Sequence, residues 1–147
     1  VSDFADRWTQ RLHSGFPLLA AMDVRLVGDA RAWQLHAPFD PNRNDHGTAF
    51  GGSLSTLATI AGWLYVSVLA GDAFDVVIQS GNAHFVQPLQ TGLVSQVTAV
   101  SDDELVRFRQ TLARRGRARL TVHASVGDGT SEAMRFTGQY VAVRLPG

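Results

Sequence analysis

Cysteine is absent from the 147-residue chain, and so is lysine: all thirteen basic residues are arginine. Without cysteine there is no disulfide framework, no thiolate zinc site and no cysteine nucleophile. Without lysine there is no Schiff-base chemistry and no Walker-type phosphate loop. Net charge is lacking too, because thirteen acidic groups balance the thirteen basic ones. No global field therefore steers the chain toward nucleic acid or an anionic membrane. Charged residues are only 18% and apolar ones 45%, which excludes a disordered tail protein. The length is that of one domain, expected to span residues 1–147. A cysteine-free composition fits the cytoplasm, which is the expected location. The chain opens on Val1 rather than Met, which leaves an upstream segment open.

One stretch also lacks charge: none occurs from Gly47 to Gly71. Its strongly apolar part is only Leu57–Ala70, and serines, threonines and glycines interrupt the rest. A bilayer span wants about 20 predominantly apolar residues flanked by a basic bias. The run reads instead as a buried helix over residues 53–70, apolar nearly all round and enclosed by protein. The first twenty residues carry Asp3, Asp6, Arg7 and Arg11, unlike a signal peptide. No membrane partner is expected.

The remaining elements follow from periodicity and punctuation. Phe4, Trp8 and Leu12 recur every four residues, which predicts an amphipathic helix over 3–14 that stops before Gly15 and Pro17. Met22–Val27 and Ala32–Phe39 read as strands around a Gly28-Asp29 turn. Val76–Val86 and Leu93–Val100 read as two more, with Pro88 and Gly92 bounding the turn between them. Ser101 three residues before Glu104 is a capping-box pattern, Leu105, Phe108 and Leu112 form a stripe, and Gly116 is a C-terminal cap. Ala118–Val126 and Met134–Leu145 complete six strands. Hairpin-type links favour an antiparallel sheet, and the only element apolar enough to cover its inner face is the helix over 53–70. The expected class is α+β, a six-stranded sheet wrapped around one long helix.

Chemistry centres on the polar loop Asp40–His46 and the Gly51-Gly52 pair that follows it. Glycines at a helix start admit a ligand close to the backbone, and the first free amides carry about half a positive charge. Such amides can hold a carbonyl oxygen as it becomes an oxyanion. The same glycines also suit tight packing of a helix end.

Asn44-Asp45-His46-Gly47-Thr48-Ala49-Phe50-Gly51-Gly52-Ser53-Leu54, continuing to Ala61-Gly62-Trp63, resembles the hotdog-fold thioesterase domain found at the C-terminus of YiiD-type proteins. Ser80–Phe85, Gly116–Leu120 and Phe136–Val141 agree with it. The resemblance implies an acyl thioester hydrolase acting on an acyl-CoA or acyl-carrier-protein thioester, without a cofactor. It implies a homodimer with joined sheets and sites at the subunit boundary, and dimers of dimers are a further expectation. In YiiD-type proteins an acetyltransferase domain precedes this one, and none is expected within these 147 residues. Carried over residue by residue, Asn44 and Gly47 match an Asn-x-x-Gly motif, and the Gly52 amide polarises the carbonyl, with Gly51 and Ser53 beside it. Ser80, Asn82 and His84 lie on a strand that faces the partner's site in such dimers.

Two departures stand out. A histidine common before the paired glycines is Phe50 here, and the helix carboxylate that activates water falls on Thr59. A threonine hydroxyl orients water but does not take its proton at neutral pH. Asp45 and His46 are candidate replacements for the base, though Asp45 equally suits an Asx turn and His46 a solvated loop. The missing carboxylate keeps a second reading open, a hotdog module that binds acyl-CoA or another apolar ligand without cleaving it. A dehydratase is disfavoured, since its paired histidine and carboxylate have no counterpart. His13, His36 and His123 show no ligand spacing, so no metal is expected. Six arginines (107, 109, 114, 115, 117 and 119) crowd one region, either as a clamp for CoA phosphates or as a solvated face balanced by Asp102, Asp103 and Glu104. Phe108 is the one aromatic among them, too few to stack nucleic acid. The acyl chain is expected along Leu54, Leu57, Ala58 and Trp63.

Overall fold

The structure is a computed structural model that describes residues 3–147. The first helix, α1 (Asp3–Gly15), buries Leu12 and packs Phe4 and Trp8 against the core. The helix runs through Gly15, one residue past its expected end, and a second helix that the sequence had not suggested follows it. Pro17 takes the first-turn position of a five-residue helix, α2 (Pro17–Ala21), where its missing N–H costs nothing. Strands β1 (Arg25–Gly28) and β2 (Trp33–Ala37) form the expected hairpin, shorter than read from sequence. Gly28 sits at φ 115°, and the Asp29 carboxylate accepts the amides of Arg31 and Ala32 at 2.9 and 3.2 Å.

The central helix α3 (Gly51–Ala70) is 20 residues long, about 30 Å by helical rise. By length and composition it could cross a bilayer. Here Leu54, Leu57, Ala58, Ala61, Leu64 and Val66 are buried against the sheet. It is not apolar all round, because Ser55, Thr56 and Thr59 stay half-exposed along one stripe.

The sheet is completed by β3 (Phe74–Phe85), β4 (Leu93–Val97), β5 (Arg117–Gly127) and β6 (Glu132–Arg144). Its order is β1-β2-β4-β5-β6-β3, every pair antiparallel. This is the hotdog arrangement that the sequence implied. One link differs: β3 and β4 are not a hairpin. Residues 86–92 carry the chain from the free edge, past β6 and β5, to the far side of β5. Alternation sets two faces on β5, with Ala118, Leu120, Val122, Ala124 and Val126 buried toward α3. Arg117, Arg119, Thr121, His123 and Ser125 face outward.

Helix α4 (Asp102–Arg115) shows the expected ends: the Ser101–Glu104 capping box is formed and Gly116 closes the helix at φ 67°. Tyr140, wholly buried, donates to the Thr59 carbonyl at 2.7 Å and lies against Gly62, so α3 sits directly on β6.

Candidate functional site

The loop before α3 is organised by two asparagines with different tasks. Asn42 is wholly buried and its Nδ2 donates to the carbonyls of Met22 and Pro38 at 2.9 and 2.8 Å. Its own carbonyl accepts the Phe50 amide at 2.8 Å, which pins the start of α3 to the core. Asn44 donates from Nδ2 to the Thr48 hydroxyl at 2.8 Å, while its Oδ1 accepts the amides of His46 and Thr48. Its side chain is thus occupied in shaping the loop, which gives Asn44 a positioning role here. The Ala49 amide donates to the Leu89 carbonyl at 2.7 Å and ties the loop to the β3–β4 connection.

Helix α3 then begins without a cap. The residue at its N-cap position is Phe50, with φ −66° and ψ 132°, and no side chain accepts from the first turn. The Phe50 carbonyl takes the amides of Ser53 and Leu54 at 2.9 and 3.0 Å. The amides of Gly51 and Gly52 have no partner among the described residues. No acidic residue lies in this turn to offset the positive end of the helix dipole.

Two aromatic rings flank those amides. Phe50, 55% exposed, folds back over Gly52, where its ring occupies the space a Cβ would need. Phe85, 58% exposed, lies beside Gly51, its Cε1 3.4 Å from an added Cβ. On the Phe85 side a cleft of about 380 Å³ is lined by Thr48, Ala49, Gly51, Leu54, Phe85 and residues 86–89. It reaches Leu54 but not Leu57, Ala58 or Trp63. The expected acyl path along the helix is therefore corrected: the first two are packed against the sheet, and Trp63 is walled in by Trp8 and Phe16. Sequence reasoning missed Thr48, Phe85 and the 86–89 segment, which approach α3 only through the tertiary fold.

Thr59 stands two turns along the half-exposed stripe of α3. Its carbonyl receives the Tyr140 phenol, while its hydroxyl has no partner among the described residues. Burial pushes the Tyr140 pKa well above the usual phenol value, so it stays a neutral donor. Asp45 and His46 are solvated at the loop tip and contact each other at 3.4 Å. Ser53 is buried in the first turn of α3.

Ser80, Asn82 and His84 lie elsewhere. The β3–β6 register shifts between Ile78 and Ser80, so that Ser80, Asn82 and His84 stand opposite Gln139, Thr137 and Arg135. Those are the outward positions of β6, and the bulge turns the three candidates away from α3. Without it, Ser80 would point inward. No group of three or more His, Asp or Glu side chains converges on a metal position among the described residues.

The model of a family described as putative thioesterase (yiiD_Cterm) matches residues 5–144. A protein of unknown function from Chlorobaculum tepidum TLS superposes with a TM-score of 0.87 at 27% identity, covering 95% of this chain and 94% of its own. A putative thioesterase from Shewanella oneidensis gives 0.75 at 26% identity, with 96% and 98% covered. A Bacillus halodurans protein solved with CoA gives 0.68 at 19% identity, with 94% and 84% covered, and shares the fold. No curated relative matches the chain.

Proposed function

The chain belongs to the putative thioesterase (yiiD_Cterm) family, and from that premise we propose that it hydrolyses an acyl thioester, of CoA in the first instance, at the start of α3. The observation that carries this reading is the pair of unpartnered amides at Gly51 and Gly52, with Gly51 lining an apolar cleft and Gly52 next to it under the exposed Phe50 ring. The thioester oxygen accepts from the Gly52 amide, assisted by Gly51 and the helix dipole, as negative charge develops on it. The acyl group lies against Ala49, Leu54, Phe85 and Leu89. Asn44 keeps the loop in place, and because Thr59 lies two turns, about 10 Å, along α3 from Gly52, water reaches the carbonyl carbon from the loop side rather than from Thr59. The attacking water gives its proton to Asp45 or His46, the tetrahedral intermediate expels the thiolate, and that proton returns to sulfur.

The complete site belongs to a dimer. β3 is a 12-residue strand at the sheet edge, with Val77 52% and Ile78 40% exposed. Long apolar edges are costly to leave unpaired. Two copies joined antiparallel along β3 would form one continuous sheet and cover Phe85 and Phe50 at the boundary.

A screen of acyl-CoAs of graded chain length, read by thiol release, tests the activity. Saturable turnover supports it, and no release from any of them overturns it. The replacement of a helix carboxylate by Thr59 favours one alternative, a module that binds the thioester without cleaving it. Calorimetric binding without thiol release would establish that alternative.

A further inference from the structure

The arginines around α4 have no task in the site described above. None of the guanidinium groups of Arg107, Arg109, Arg114, Arg115, Arg117 and Arg119 forms an ion pair or hydrogen bond among the described residues. The acidic residues expected to balance them do not reach them, since Glu104 is committed to the Ser101 cap. Helical spacing puts Glu104, Arg107, Thr111 and Arg114 on one flank of α4. The first three of these, with Phe108, face Arg119 and Thr121 of β5 across a cleft of 380 Å³. β4 pairs with β5 from Ala124 onward and the Thr98 amide donates to the His123 carbonyl, so β5 has a free edge on this side only before His123. The cleft therefore combines two guanidiniums and a Thr121 hydroxyl that have no partner among the described residues, beside open strand edge. Glu104, the one opposing charge, lies in the first turn of α4.

Its place in the fold decides whose substrate it can reach. The chain's own Gly52 lies farther off: Phe85, beside Gly51, pairs with Met134 and through it with Val126, five to seven residues along β5 from Thr121 and Arg119, roughly 20 Å at the usual strand rise. The first half of β5 lies level with the start of β3, because Arg117 and Asp75 both pair with Val143. Antiparallel pairing of two β3 edges brings the end of the partner's β3, and hence its helix-start cleft, to that same end of the sheet. Only β3 and β6 then intervene, a lateral distance of roughly 14 Å at the usual strand spacing.

We propose that the α4–β5 cleft, through Arg107 and Arg119, binds the phosphate-bearing nucleotide end of an acyl-CoA whose thioester lies in the partner copy's helix-start cleft. This rests on the thioesterase reading and on pairing through β3. Forked guanidinium donors match phosphate oxygens, and two of them facing one another suit a polyphosphorylated group. Each protomer then supplies the amides for one substrate and the anchor for the other.

The test compares one acyl group carried on CoA, on 3′-dephospho-CoA and on pantetheine, with the full chain and with an Arg107→Ala/Arg119→Ala double variant. Both side chains are exposed, so the fold is expected to survive. The KM for acyl-CoA should rise at least about tenfold with kcat unchanged, since charge-assisted bonds are lost from binding alone. Kinetics on acyl-pantetheine should be the same in both proteins, dephospho-CoA should fall between, and the Arg107→Lys/Arg119→Lys variant should recover part of the loss. Equal KM values for acyl-CoA and acyl-pantetheine in the unaltered protein, or equal losses on both in the variant, would overturn the proposal. If no acyl-CoA is cleaved, the thioesterase reading fails by itself, and calorimetry with CoA decides this site separately. CoA binding lost in the double variant supports it, whereas binding unchanged or absent overturns it. Hydrolysis of an acyl group only from a carrier protein, with no CoA bound, also overturns it.

Discussion

Gly52 allows the helix-start amide to be separated from the fold. A Cβ added there runs into Cε2 of the Phe50 ring, with Cδ2 and Cζ 3.0 Å away. That ring is the free end of a side chain already 55% exposed, so it can turn outward. Moving it fully clear would expose about 80 Å² of apolar surface, an upper cost of about 2 kcal/mol. Replacing glycine by alanine in a helix returns about 1 kcal/mol. Gly52→Ala should therefore lose about 1 kcal/mol at most, or about 3 °C in Tm, and it retains the N–H. Gly52→Pro places a Cβ against the same ring but deletes the N–H. In the first turn this deletion breaks no bond, because the Gly52 amide has no partner in the chain.

The two variants should consequently melt close together and differ in catalysis. Loss of one oxyanion donor costs about 10²–10³ in rate, so thiol release by the proline variant should fall by that factor below the alanine variant. Thermal melts establish that both are folded, and initial rates on the best acyl-CoA give the comparison. Two folded variants with the same rate would refute the assignment of the Gly52 amide, whatever their shared loss relative to the unaltered protein.

Tyr140→Phe removes one hydrogen bond to a carbonyl that keeps its helical partner, so it should cost about 1 kcal/mol in chemical denaturation. Gly62→Ala should cost more, about 1–3 kcal/mol, because the Tyr140 Cε1 lies 2.7 Å from the added Cβ and the buried ring, unlike Phe50, has nowhere to go. Ile78→Asp puts a charge on the free edge of β3 and should shift the chain to monomer in analytical ultracentrifugation, with thiol release falling in step. Burial holds the His36 pKa below its ordinary 6.5, so the neutral form is favoured in the fold. Its contribution is fully present above pH 6.5 and is lost as pH falls from there toward the folded pKa. His36→Gln should flatten melting temperature against pH in that window.

What could be read from sequence was what local chemistry determines. Ser101, Glu104 and Gly116 mark α4 because a capping box and a left-handed cap are made by residues adjacent in the chain. Strands β5 and β6 show in their alternation because one face is buried and the other is not. The destination of β3 was hidden, since Pro88 and Gly92 punctuate a crossover in the same way as a hairpin. The bulge before Ser80 was hidden as well. It leaves no compositional mark, yet it decides the face on which Ser80, Asn82 and His84 stand. Asn42 and Asn44 looked alike in one polar loop. Only the packed fold shows that the first is a buried tie and the second a turn former.

The two longest helices of the described residues, α3 and α4, start in opposite ways. At α4, a surface helix, Ser101 and Glu104 satisfy each other's backbone amides. At α3, the helix on which the sheet is built, the cap position holds a phenylalanine and the next two amides are left open. A chain that caps a peripheral helix fully and its central one not at all breaks a local stability rule where the break costs most. Exceptions of that kind concentrate where binding or catalysis needs the unsatisfied group. The glycines keep Cβ atoms away from the amides, Asn42 fixes the loop that delivers them, and Phe85 brings the β3 edge alongside. Each feature has a separate packing explanation, but packing alone does not require all of them to converge on two N–H groups at one sheet edge.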